Sequence, residues 1–192
     1  MKLLGVIFTG VAIIALLIAS QFTGGGTNTE RLRAGVIADD FLGTVATVKN
    51  TIQLAINSNI KPTTITFDTA PGTGLFAQNG GFMTQPRTID GLGTTQYLFK
   101  TNVTLNNIGS GNADWTIAIS GVSEAHCRVT NTKTMGSTYD AEIPASGVAT
   151  ASWTTAETAI DLSSVDALDG HSAACVTTTD GDLVLFGTIR SL

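Results

Sequence analysis

The chain has 192 residues, with 10 Lys or Arg against 15 Asp or Glu and a formal net charge of −5. Charged side chains make up 13% of it, about half of the roughly 25% usual for soluble domains. With no basic surplus to neutralise phosphates, direct nucleic-acid binding is excluded, and a hydrophobic content of 43% excludes a disordered acidic tail.

The first element is the run LLGVIFTGVAIIALLIASQF from Leu3 to Phe22, which carries no charge; Lys2 is the only charged residue before Glu30. At about 1.5 Å per helical residue, roughly 20 residues span about 30 Å, the thickness of a bilayer's hydrocarbon core. Residues 1–23 are therefore read as a hydrophobic helix, a membrane anchor. A cleavable signal peptide is the other reading, with small residues at Ala19 and Ser20. Gly5, Gly10, Ala12, Ala15 and Ala19 permit close helix approach, so the same segment can also pack against copies of itself.

Residues 24–28 form a Gly-rich stretch. Gly24, Gly25 and Gly26 each weaken a helix by about 1 kcal/mol relative to Ala, so a break is expected there. Thr27 stands three residues before Glu30, the spacing of a capping box that restarts a helix.

From residue 29 to 59 an amphipathic helix is expected. Leu32, Val36, Ile37, Phe41, Val45, Val48, Ile52 and Ile56 recur mostly at spacings of three and four, while Arg31, Arg33, Asp39, Asp40, Lys49 and Asn50 fall mostly off that stripe. Such a helix is roughly 45 Å long and must pack along something extended, such as a sheet. Asn57, Asn59 and Pro62 end it.

Residues 60–192 read as a globular, β-rich head. Candidate strands are Thr64–Phe67, Tyr97–Phe99, Val103–Leu105, Trp115–Ile119 and Leu183–Ile189, and Asp180-Gly181 signals a hairpin. SGVSEAHC predicts a short helix with Ser123 as N-cap. The fold class is α+β, a long N-terminal helix on an antiparallel sheet.

In a protein whose N-terminus targets it outward, Cys127 and Cys175 read first as a disulfide; closing a loop of about 48 residues would stabilise the fold by roughly 4 kcal/mol. The alternatives are two buried thiols, or a zinc site with His126 and His171, for which the spacing is wrong. Neither histidine belongs to a GxSxG or HExxH motif, and the glycine clusters at 72–74, 80–81 and 91–93 lack the Lys of a phosphate loop. No catalytic set, cofactor or metal is expected.

The opening MKLLGVIFTGVAIIALL resembles the mature N-terminus of type IV pilins, in particular the type IVb class that begins with Met. GVIADDFLGTVATVKNTIQLAINSN is similar to the lower part of that family's spine helix. ISGVSEAHC resembles the strand-then-helix step to the first cysteine of the thin-pilus and toxin-coregulated pilins, and AACVTTTDGDLVLFGTIRSL their second cysteine and last strand. Residues 61–112 match no motif of the family.

The resemblance implies a bacterial subunit trimmed by prepilin peptidase, with Met1 N-methylated. It would be held in the inner membrane, handed to a pilus assembly platform and polymerised with itself into an extracellular filament for adhesion, aggregation or conjugative DNA transfer. Leu3, Gly5, Val6, Phe8, Thr9, Ile13 and Leu17 would pack in the filament core. Val36, Ile37, Phe41, Val45, Val48 and Ile52 would hold the spine on the head, and residues 127–175, bounded by Cys127 and Cys175, would be the exposed D-region. Where the family usually has Glu at the fifth mature position this chain has Gly5, a departure found in some minor pilins and pseudopilins. Two alternatives stay open: a minor pilin or type II secretion pseudopilin, and a membrane-anchored extracytoplasmic domain that does not polymerise.

Overall fold

The computed structural model describes residues 28–68, 74–76, 81–89, 97–109, 113–155 and 158–191, together with the helical course, without side chains, of residues 2–27. The elements in chain order are α1 (Lys2–Asn57), β1 (Leu98–Thr104), β2 (Asp114–Ser120), α2 (Glu124–Met135), α3 (Thr150–Thr154), β3 (Ile160–Asp161), β4 (Ala173–Thr177) and β5 (Leu183–Arg190), with 3₁₀ turns at Pro62–Thr64 and Asp166–Leu168.

α1 is one helix, and the break expected at Gly24, Gly25 and Gly26, with a new start at Thr27, is absent. Three glycines weaken a helix by about 1 kcal/mol each. Interrupting it would leave up to four N–H and four C=O groups to be satisfied elsewhere and would require a second nucleus, which is the larger penalty. The end comes as expected: Asn59 takes a left-handed φ of 66°, and the Ile60 N–H donates back to the Ala55 carbonyl at 3.1 Å.

The seam that α1 buries is more regular than the expected stripe. Ala34, Ala38, Phe41, Val45, Val48, Ile52 and Ala55 are all buried, a strict alternation of four and three, with Ile37 beside them. Leu32 and Val36 are not part of it; they are 74% and 62% exposed. At that end of the helix the neighbour is α2 rather than the sheet, and Ala34 and Ala38 meet Ala125 and Val129. Small side chains let the two helices approach, which rotates the larger Leu32 and Val36 outward.

The sheet has the order β3-β1-β2-β5-β4 and is mixed, which corrects the antiparallel expectation. β1–β2, β2–β5 and β5–β4 are antiparallel, but β3 runs parallel to β1 through Val103↔Ile160 and Thr104↔Asp161. β3 is reached from β2 by a long crossover containing α2 and α3, so no tight turn dictates its direction. Thr64–Phe67 is not a strand either: Pro62 opens a 3₁₀ turn, and only Thr66 makes a bridge, to Gly74. The expected strands Tyr97–Phe99 and Val103–Leu105 are one strand, β1, with a register shift between Lys100 and Val103.

Both faces of the sheet are covered. Toward α1, Trp115, Ile117, Ile119, Leu185 and Ile189 pack on Phe41, Val45, Val48 and Ile52. On the far face Ala118, Val184, Phe186, Ala174 and Val176 pack with Trp153, Leu162 and Leu168. β2 is accordingly buried along six of its seven residues, so Asp114 and Thr116, which alternate with Trp115 and Ile117, are buried as well. Gly187 sits directly under α1: a Cβ there would lie 2.7 and 2.9 Å from the two methyls of Val45. The missing side chain is what lets the helix sit this close.

Lys100 is 1% exposed. Its ammonium donates to the carbonyl of Ser152 at 2.8 Å and to that of Thr155, at the C-terminal end of α3, and burial pushes its pKa below the usual lysine value. It thereby fixes the short helix that places Trp153 against Phe186, ring centroids 5.7 Å apart.

Candidate assembly surface

The local sequence of α2 explains how the segment 127–175 is held. Ser123 caps the helix, its Oγ accepting from the His126 N–H at 3.4 Å, and Gly136, with φ of 65°, ends it in the left-handed conformation. Cys127, on the buried face, is bonded to Cys175 of β4, with Cα atoms 5.1 Å apart. One turn later Asn131 reaches the same strand: its Nδ2 donates to the Cys175 carbonyl at 3.0 Å and its Oδ1 accepts the Cys175 N–H at 2.7 Å.

The next outward-facing residue of β4, Thr177, is bound by Pro144–Ser146. Its N–H donates to the Pro144 carbonyl at 2.8 Å, and its carbonyl accepts from the Ser146 N–H at 2.8 Å. The β4 edge is therefore occupied within the chain at both Cys175 and Thr177, and strand addition at that edge is blocked.

An apolar concavity lies between α1 and α2. A groove of about 750 Å³ is lined by Leu32, Gly35, Val36, Val129 and Tyr139, with Arg31, Asp39 and Lys133 at its rim. Arg128 positions the Tyr139 loop, donating to the carbonyls of Tyr139 at 3.2 Å and Ala141 at 2.6 Å while its other end pairs with Glu124 at 2.6 Å. Arg31 lies over the Tyr139 ring, 4.5 Å from its centroid. Lys133 bonds Asp39 at 2.6 Å and the Gly35 carbonyl at 3.1 Å. Each rim charge thus has a partner within the chain.

The residues singled out in the sequence fall into three sets. Cys127 and Cys175 come together as a disulfide, and Ile37, Phe41, Val45, Val48 and Ile52 form the helix–sheet contact. Val36, expected in that contact, faces solvent. Met1 and the side chains of Leu3, Gly5, Val6, Phe8, Thr9, Ile13 and Leu17 lie outside the described residues. Among the described residues no helix is long and apolar enough to cross a membrane.

The sequence reading missed Val129 and Tyr139 as groove residues, since neither belongs to a motif. It also missed Ala34 and Ala38, whose recurrence four residues apart in phase with Phe41 and Val45 was the available signal.

Elsewhere, the Ser123 Oγ lies 3.0 Å from His126 Nδ1, a nucleophile-and-base spacing that here accompanies the helix cap. Desolvation, with a smaller push from Arg33, lowers the His126 pKa against the opposing pull of Glu30. His171 lies away from it, beside Lys49 and Ser172 in a hollow of about 350 Å³. Among the described residues no group of three His, Cys, Asp or Glu side chains is placed to hold a metal ion.

No protein-family model matches the chain, and neither does any curated protein or solved structure.

Proposed function

We propose that the chain is a structural subunit of an extracellular type IV pilus of bacteria, polymerising through its N-terminal hydrophobic helix and serving adhesion, aggregation or conjugative transfer. The observation that carries the reading is the division of α1: its second half is seated on a two-faced sheet, and its first half continues as helix through the charge-free stretch Leu3–Phe22. A segment with no charge over 20 residues needs lipid or protein around it. Before assembly that cover is the inner membrane; afterwards it is other copies of the chain. On this reading prepilin peptidase exposes Met1 for methylation, the assembly platform extracts the subunit, and the head's role is packing, not catalysis.

Leu3, Gly5, Val6, Phe8, Thr9, Ile13 and Leu17 form the filament core, and the segment between Cys127 and Cys175 is an exposed edge that contacts neighbouring subunits or the surroundings. The disulfide supports an extracytoplasmic setting, where such bonds persist.

Gly5 favours a second reading, a minor pilin or secretion pseudopilin, because it offers no carboxylate to a neighbouring chain's N-terminal ammonium. Electron microscopy of sheared surface material, with mass spectrometry of the filaments, separates the cases. Filaments built mainly of this chain support the first reading, and trace amounts in filaments of another subunit support the second. A dispersed monomer overturns both in favour of a non-polymerising anchored domain.

A further inference from the structure

We infer that the groove between α1 and α2 is the receptor for the charge-free segment Leu3–Phe22 of a second copy. This inference rests on the polymerising reading above and names the surface through which it operates.

Two of the three large exposed hydrophobics among the described residues, Leu32 and Val36, stand in this one groove, a turn apart on α1. Val129 and Tyr139 extend the apolar lining onto α2 and its following loop. At the rim Lys133 is paired with Asp39 and the Gly35 carbonyl, and Arg31 lies over the Tyr139 ring, so the lining between them is mainly apolar. Its complement is an apolar, uncharged surface, and the chain itself carries one in Leu3–Phe22.

Geometry allows the match. Groove and segment lie on the same helix, their centres about 22 residues apart, so parallel neighbours displaced by roughly 30 Å along the axis bring one copy's segment beside the other's groove. Close approach is available on both sides. The segment has small residues at Gly5, Gly10, Ala12, Ala15 and Ala19, and at Gly35 in the groove nothing lies within 4 Å of where a Cβ would stand. Because donor and receptor surfaces differ, the contact is heterologous, and the axial displacement between neighbours keeps it from closing into a ring, which is the requirement for a filament.

The test places a photoreactive benzophenone amino acid at position 36 of the full-length chain and irradiates surface filaments assembled from mixed light and heavy-isotope copies. The expected result is cross-links from position 36 to residues 3–22 of a copy with the other isotope label. Cross-links to the head of a neighbour in intact filaments, or to lipid alone, overturn the groove assignment and leave the polymerising reading standing. A dispersed monomer overturns both.

A second arm compares Val36→Asp with Leu54→Asp, an exposed position 56% accessible and outside the groove. Val36→Asp should reduce filament yield at least tenfold while leaving the thermal midpoint unchanged, and Leu54→Asp should leave the yield near the parent's. Equal yields from the two variants overturn the assignment.

Discussion

The carboxamide of Asn131 holds both main-chain groups of Cys175, Oδ1 2.7 Å from its nitrogen and Nδ2 3.0 Å from its carbonyl oxygen. Cys127, one helical turn earlier, is bonded to the same residue through sulfur. One face of α2 therefore engages Cys175 twice, once covalently and once by a pair of hydrogen bonds that replaces a missing neighbour strand. Closing this edge keeps β4 from pairing with other chains, because an open strand edge invites pairing with any copy.

Asn131→Ala should therefore act in two ways. It leaves a buried N–H and C=O on Cys175 without protein partners, a loss of about 2–4 kcal/mol in all. It also reopens the β4 edge. Urea unfolding of the full-length chain in detergent should show a lower midpoint with unchanged slope, and light scattering should show disordered aggregates. A variant with the parent's midpoint would mean that water takes over both bonds at no penalty.

Mass spectrometry without reductant should find Cys127 joined to Cys175, and Cys127→Ser with Cys175→Ser should lower stability by about 4 kcal/mol, given a separation of 48 residues. Asn131 still links α2 to β4 in that variant, so β4 should remain protected from hydrogen exchange relative to the Tyr139 loop. Free thiols in freshly isolated protein would remove the disulfide from the account.

What the sequence made legible was what rests on large apolar side chains and turn chemistry. Phe41, Val45, Val48 and Ile52 marked the buried helix face, Ser123 the start of α2, and Asp180-Gly181 the hairpin between β4 and β5. What stayed hidden depends on small residues and on polar groups with distant partners. Ala34 and Ala38 carry little hydrophobic signal, so Leu32 and Val36 stood in for them. Lys100 in β1 reads as a strand interruption until Ser152 and Thr155, more than 50 residues on, are seen to accept from it. The groove was illegible for the same reason, since Tyr139 reaches it only because Arg128 holds the loop after α2.

Gly187→Ala tests the helix-to-sheet spacing. The new methyl would meet Val45 at 2.7 Å, closer than packed carbons come, so α1 must lift or Val45 must leave its rotamer. A loss of about 1–3 kcal/mol is expected from such overpacking. Adding Val45→Ala removes both contacting methyls, so the double variant should be more stable than the sum of the two single losses implies, by about 1 kcal/mol. Strict additivity in thermal or urea unfolding would show that the contact does not set the spacing.

His126 gives the fold a pH dependence whose sign follows from its surroundings. Desolvation, with the nearby Arg33, holds its pKa below the ordinary histidine value, and Glu30 only partly offsets them. As pH falls, the unfolded chain takes up this proton first, so stability declines from near pH 6.5, the ordinary value, down to the folded pKa, and is flat below it. Asp161 does not confuse that window. The Ser163 hydroxyl and N–H both donate to its carboxylate and hold its pKa below the usual range, so its contribution is lost only in stronger acid. His126→Gln should flatten the decline that sets in below about pH 6.5, and Glu30→Gln should lower the His126 pKa further and widen the window. The readout is the urea midpoint against pH for the three chains. If the His126→Gln curve ran parallel to the parent's as the pH fell below about 6.5, the dependence would belong to another group.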